Sequence, residues 1–323
     1  MKLALMAGLG AALSLFTACV VNETECDAEC RELWMDGPRH NDTGSLDTLV
    51  SRFYRPPANS ADSARPVIIA IHGYTASTFE WREFRVWAES AQGGGDSLRV
   101  SSVLLGGHGR DLEDFRKSKW EDWGRPILEE YDTLAALGYR NISFAASSTG
   151  AALLMQHLST GKFRDRPPRW VFLIDPIVVP SAKLLTLVNL VGPILGNSPN
   201  KGTDEENTHW YVNRPAETLA QLYELINLVK NRLEEGFKLP LATQAKVYKG
   251  THDKLADPVG ALLIYKGMRE SNGDRVAVDM LDTRKHVFTR LKGRNLGTAA
   301  DSARAVDLQT AVFQDMRSKV LGR

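Results

Sequence analysis

Residues 144–151 read Phe-Ala-Ala-Ser-Ser-Thr-Gly-Ala, directly after an apolar run that begins at Ile142 and directly before a helical pattern. Ser148 therefore sits where a strand turns sharply into a helix. A turn that tight has no room for a large side chain two positions to either side of the serine, and the chain offers Ala146 and Gly150 there. Alanine stands where a nucleophile-bearing turn most often has glycine. Ordinary strand-to-helix junctions produce similar strings, so the companions of Ser148 elsewhere in the chain decide its reading.

Working outward, residues 67–71, 98–105, 142–146, 170–174, 245–249 and 276–280 are compact apolar or alternating runs of strand length, and 48–54 alternates as well. Helical spacing fills 79–91 and 120–137. Strands alternating with helices predict an α/β fold, a mostly parallel central sheet with helices on both faces. Between 177 and 240 the alternation stops, for longer than a plain connection in a compact domain, which predicts an inserted helical cap. Its first part, 178–195, is strongly apolar and reads either as a core helix or as a lid facing acyl chains. A polar stretch, 196–207, follows. Its last part carries Leu219, Leu222, Ile226, Val229 and Leu233 on one helical face.

A serine hydroxyl is a poor nucleophile at neutral pH and needs a base, a group to orient that base, and donors for an oxyanion. His286 lies in the loop after the 276–280 strand and is the expected base. Asp253 follows the 245–249 strand in Gly250-Thr251-His252-Asp253 and is the expected orienting acid, with Asp175 at the end of the 170–174 strand as its rival. Asp257 reads as the cap of a helix opened by Pro258. The turn Ile71-His72-Gly73-Tyr74-Thr75 brings backbone amides to a strand end, so the amides of Tyr74 and Thr149 are the expected oxyanion donors. His72 reads as structural, being too close to those donors to serve as the base. Position sets His40, His157, His209 and His252 aside.

With Gly107-His108-Gly109 and the helix start at 120–123, these motifs make residues 48–290 resemble an α/β-hydrolase, similar to bacterial carboxylesterases and monoacylglycerol lipases. The order Ser148, Asp253, His286 is the order of that fold. The resemblance implies acyl-enzyme chemistry on carboxylic esters with no metal and no organic cofactor, and His108 as a structural residue. The apolar cap favours a lipophilic small-molecule ester. The same residues also suit an acyltransferase, a thioesterase or a peptidase. The contrasting class is a non-catalytic lipid-binding lipoprotein that has kept the fold.

Composition sets the bounds. The 323 residues are 43% hydrophobic, enough for one large core, and 40 basic against 39 acidic side chains leave no nucleic-acid footprint. Residues 1–18 have the form of a secretory signal, and Thr17-Ala18-Cys19 resembles a bacterial lipoprotein junction. That resemblance implies lipidation at Cys19, a membrane tether over 19–46, and an exported, outer-membrane location. Val20 after the cysteine agrees with the outer-membrane sorting pattern. The hydrolase domain is expected over 47–323, with the cap at about 177–240. Cys26 and Cys30 are compatible with a short-loop disulfide or with two free thiols. The oligomeric state is not legible.

Overall fold

The computed structural model describes residues 31–32, 34–37, 64–181 and 203–322. The leader, Cys19, Cys26, Cys30, the 48–54 strand and most of the apolar 178–195 stretch lie outside the described residues. Eight strands are present among those described: β1 (Val67–Ile71), β2 (Arg99–Val103), β3 (Ile142–Ser147), β4 (Trp170–Ile174), β5 (Phe237–Lys238), β6 (Gln244–Gly250), β7 (Met268–Arg269) and β8 (Ala277–Leu281). Six form one wholly parallel sheet in the order β2-β1-β3-β4-β6-β8, and β5 pairs with β7 apart from it.

Every residue of β1 is fully buried, because both faces of the sheet are covered. The two-residue period of a strand sorts the side chains. Val67, Ile69, Phe144 and Leu173 enter one core and Ile68, Ala70, Phe172 and Tyr248 the other. The first core is closed by α3 (Trp120–Ala136), α4 (Ser148–Ser159), α5 (Ala216–Glu235) and α6 (Val259–Gly267). The second is closed by α1 (Arg82–Glu89) and α7 (Ala299–Leu321). The short α2 (Leu112–Lys117) contributes Phe115 to the first.

The chain steps outward from β1 to β2, then crosses back to β3 on the other side of β1. Reversal of strand order opens a crevice at the carboxyl ends of β1 and β3, the place where parallel sheets bind ligands. The 72–75 turn and Ser148 both leave the sheet there.

The expected elements that fall among the described residues appear within a few residues, with three differences. The 79–91 helix divides into a tight turn, Thr78–Trp81, capped by the Ser77 side chain, followed by α1. Helix α5, the last part of the expected cap, buries Leu222, Leu225, Ile226 and Val229 in the main core. Within the stretch read as a tether, Met35 is also buried in that core, and the Asp36 carboxylate accepts the Val212 and Asn213 amides at 3.0 and 2.6 Å. Burial pushes the Asp36 carboxyl up to about 6 against those two bonds.

Candidate active site

Ser148 is the first residue of α4 and has φ +48°, a left-handed conformation that costs a non-glycine residue about 1–3 kcal/mol. Sharp departure from β3 leaves its hydroxyl in the crevice. A Cβ on Gly150 would lie 2.4 Å from the His72 carbonyl oxygen and 2.7 Å from Ile71 Cγ2, so no larger residue fits. Ala146 is buried and in register with Ile71, which explains the small residue on the other side of the turn. Gly73 packs as closely from above, where an added Cβ would be 3.1 Å from Ser148 Cβ.

His286 arrives from the loop after β8 and places Nε2 2.8 Å from Ser148 Oγ. Its Nδ1 lies 2.7 Å from Asp253 Oδ2. The loop is pinned by Arg294, which donates to the carbonyls of His286 at 2.9 Å and Val287 at 2.7 Å. Asp253 follows β6, and its other oxygen accepts the amides of Leu255 at 2.8 Å and Ala256 at 3.2 Å. Burial works against ionisation of Asp253, but the His286 imidazole and the Lys249 ammonium outweigh it and hold the carboxyl well below the usual carboxylate range. An imidazole so flanked can take the serine proton and remain stabilised as a cation.

Asp175, the rival acid, sits at the end of β4 with φ +44°. Its Oδ1 accepts the Gly250 amide at 2.8 Å and the Lys249 ammonium at 3.2 Å. Lys249 is fully buried and also bonds Asp253, so one ammonium stands between two carboxylates. Burial raises the Asp175 carboxyl, opposed mainly by Lys249. Asp175, Asp253 and His286 bring ligand atoms within 4.8 Å of one another, a spacing a metal ion would accept, but Lys249 already supplies the positive charge to both acids.

On the other side of Ser148 the 73–75 turn is braced by Glu80, which accepts the Gly73 amide at 3.0 Å and contacts the Ser147 hydroxyl. Burial pushes the Glu80 carboxyl up. The Thr75 carbonyl accepts the Tyr211 amide at 2.8 Å, and the Tyr74 hydroxyl meets Thr218 at 2.6 Å. The Tyr74 amide donates to no acceptor among the described residues. Thr149 is the second residue of α4, where amides lack an intrahelical carbonyl. Both expected oxyanion donors thus border the serine.

The remaining described histidines are accounted for by packing. His72 accepts the Leu105 amide at Nε2, 3.1 Å away, and burial drives its pKa well down. His108 is edge-on to Phe115 and Trp123, and burial lowers it to about 4. His157 meets the Gly124 carbonyl, His209 stacks on Phe79 at 3.8 Å, and the half-exposed His252 faces Asp282.

A cavity of about 400 Å³ lies over Ser148 and His286, with Tyr74, Trp210, Tyr211, Arg214, Arg290 and Arg294 in its wall. No family model matches the chain. A carboxylesterase of Bacillus subtilis (strain 168) is 23% identical over 234 residues, which cover 71% of this chain and 87% of that protein. Among solved structures, a chain from the work on the metagenome-derived lipolytic enzymes LipS and LipT aligns with TM-score 0.56 and 20% identity, covering 78% of this chain and 94% of its own. A soluble variant of the Saccharomyces cerevisiae monoglyceride lipase, in complex with a substrate analogue, aligns with TM-score 0.56 and 13% identity over 82% and 89%. The Paleococcus ferrophilus monoacylglycerol lipase aligns with TM-score 0.53 and 11% identity over 79% and 96%. The chain has the α/β-hydrolase fold. In an α/β-hydrolase the serine turn, the acid after a later strand and the histidine after the last strand share one rim of the sheet. Ser148, Asp253 and His286 occupy those positions here.

Sequence reasoning missed Glu80 and Lys249. Nothing local marks Glu80 among the other glutamates of a polar helix start. Lys249 gave one usable signal, a lysine inside a run otherwise read as buried strand.

Proposed function

We propose that the protein is a serine hydrolase that cleaves a carboxylic ester through an acyl-enzyme. The observation that carries this reading is the unbroken chain Ser148 Oγ, His286, Asp253, with separations of 2.8 and 2.7 Å. Ser148 Oγ attacks the ester carbonyl carbon while His286 Nε2 takes its proton. The oxygen gains negative charge and is held by the amides of Tyr74 and Thr149. Collapse of the tetrahedral adduct breaks the bond to the alcohol, which leaves with the proton from His286. Water then attacks the acyl-serine, gives its proton to His286, and the acid departs as Ser148 is reprotonated. Throughout, the Asp253 carboxylate holds the imidazole by Nδ1.

The apolar stretch 178–195 and the lipase and esterase neighbours support a lipophilic acyl group. The leader supports export and attachment to a membrane through lipid on Cys19. The test is pre-steady-state release of nitrophenol from 4-nitrophenyl esters of increasing acyl length. The expected result is a burst stoichiometric with enzyme, absent in Ser148→Ala, and kcat/KM that rises beyond the acetate. An equal burst from Ser148→Ala contradicts the nucleophile, and best turnover of acetate contradicts the lipophilic acyl group.

A further inference from the structure

Four cationic side chains line the cavity over Ser148: Arg214, Lys285, Arg290 and Arg294. Two of them face carboxylates, and a third is bonded to a backbone carbonyl. Arg290 lies 3.0 Å from Glu205 and 3.1 Å from Glu206, and stacks over Phe79 and Trp210. Arg294 is 3.6 Å from Glu206 and donates to the His286 loop. The Lys285 ammonium is bonded to the Asn295 carbonyl. Arg214, just ahead of α5, differs from all three. Its Nε is shut off from solvent without an acceptor, and no carboxylate among the described residues pairs with its guanidinium. Burial lowers its pKa, and the one group that opposes this is the phenol of Tyr74, the residue whose amide borders Ser148. Arginine nonetheless stays charged throughout the working pH range.

A guanidinium that is partly buried and has no carboxylate partner is better compensated when an anion enters the cavity. We propose that Arg214 binds a carboxylate carried by the ester substrate at a point remote from the scissile bond. The inference rests on the ester-hydrolase reading and narrows its substrate class to monoanionic esters. A planar guanidinium offers parallel N–H groups that match the two oxygens of a carboxylate. The cavity, at about 400 Å³, is of a size to hold a small ester together with that group.

Two substrate pairs locate the anion. Mono-4-nitrophenyl adipate against 4-nitrophenyl hexanoate places it on the acyl side; 4-(butyryloxy)benzoate against its methyl ester places it on the alcohol side. The readout is the ratio of kcat/KM, anionic over neutral, within each pair, for wild type, Arg214→Met and Arg214→Lys. We expect the ratio to favour the anion in one pair, to fall about 10- to 100-fold in Arg214→Met, and to be partly restored in Arg214→Lys. Calorimetric binding of 4-(butyryloxy)benzoate and of monomethyl adipate to Ser148→Ala, with and without Arg214→Met, reads the same site without turnover. If no ester is cleaved but an anion binds in an Arg214-dependent way, the hydrolase reading fails and the carboxylate site stands. Ratios unchanged by Arg214→Met in both pairs, together with binding indifferent to Arg214, overturn the proposal.

Discussion

Two buried carboxylates flank the Ser148 turn, and their surroundings shift their pKa values in opposite directions. Asp253, on the β6 side, touches an imidazole and an ammonium, and its carboxyl is held far below the ordinary range. Glu80, on the β1 side, touches only neutral donors, the Gly73 amide and the Ser147 hydroxyl, and its carboxyl is pushed up by burial. Burial disfavours ionisation of both, and the partners decide the direction of the shift. The Asp253 carboxylate can orient and stabilise an imidazolium, whereas Glu80 serves as a hydrogen-bonded brace under the turn that carries the Tyr74 amide.

The largest effect is expected on the ionised side. Asp253→Asn removes the charge and reverses the hydrogen bond to Nδ1, so kcat on a 4-nitrophenyl ester should fall about 10,000-fold. Asp175→Asn leaves Lys249 paired with Asp253 and should cost less than about tenfold. The reverse ranking would transfer the orienting role to Asp175.

Glu80→Gln probes the other side and should be the gentler change. The amide keeps an acceptor for Gly73, so activity should stay within a few-fold of wild type. A carboxyl whose folded pKa is raised contributes stability below its unfolded value, about 4.3, and loses it as pH rises through the folded value. Gln has nothing to lose in that window. The Tm of Glu80→Gln should therefore equal or exceed wild type at pH 8, with the difference shrinking toward pH 5. A Tm below wild type at pH 8 would show that the Glu80 carboxylate is stabilising and break the contrast. Asp253 has the opposite sign, its contribution being present above the unfolded value and lost on acidification.

The same contrast explains what could be read from the chain. Ser148, Asp253 and His286 each follow a recognisable strand, so topology alone brings them to one rim. The inner strands β1, β3 and β4 were legible because burial on both faces makes them compact apolar runs, whereas the exposed edge strand β8 showed itself by alternation. Glu80 and Lys249 each also bond a residue far away in sequence, Ser147 and Asp175: Lys249 meets Asp175 only because β4 and β6 are adjacent, which no spacing along the chain reveals. Helix α7 escaped notice for a related reason. Its buried core residues, Val312, Phe313, Met316 and Val320, lie in its second half, with only Ala305 and Leu308 partly buried in the more polar first half, which dilutes the stripe. The role of Arg214 was not legible until the cavity showed that Arg290 and Arg294 face carboxylates and Arg214 does not.

The central claim is that Ser148 is activated by His286 and Asp253 at the sheet rim. Labelling with a fluorophosphonate, followed by peptide mass mapping, tests it most directly. A single adduct is expected on Ser148 in the wild type, with no adduct in Ser148→Ala and markedly slowed labelling in Asp253→Asn. An unlabelled wild-type protein, or an adduct that persists in Ser148→Ala, would contradict it.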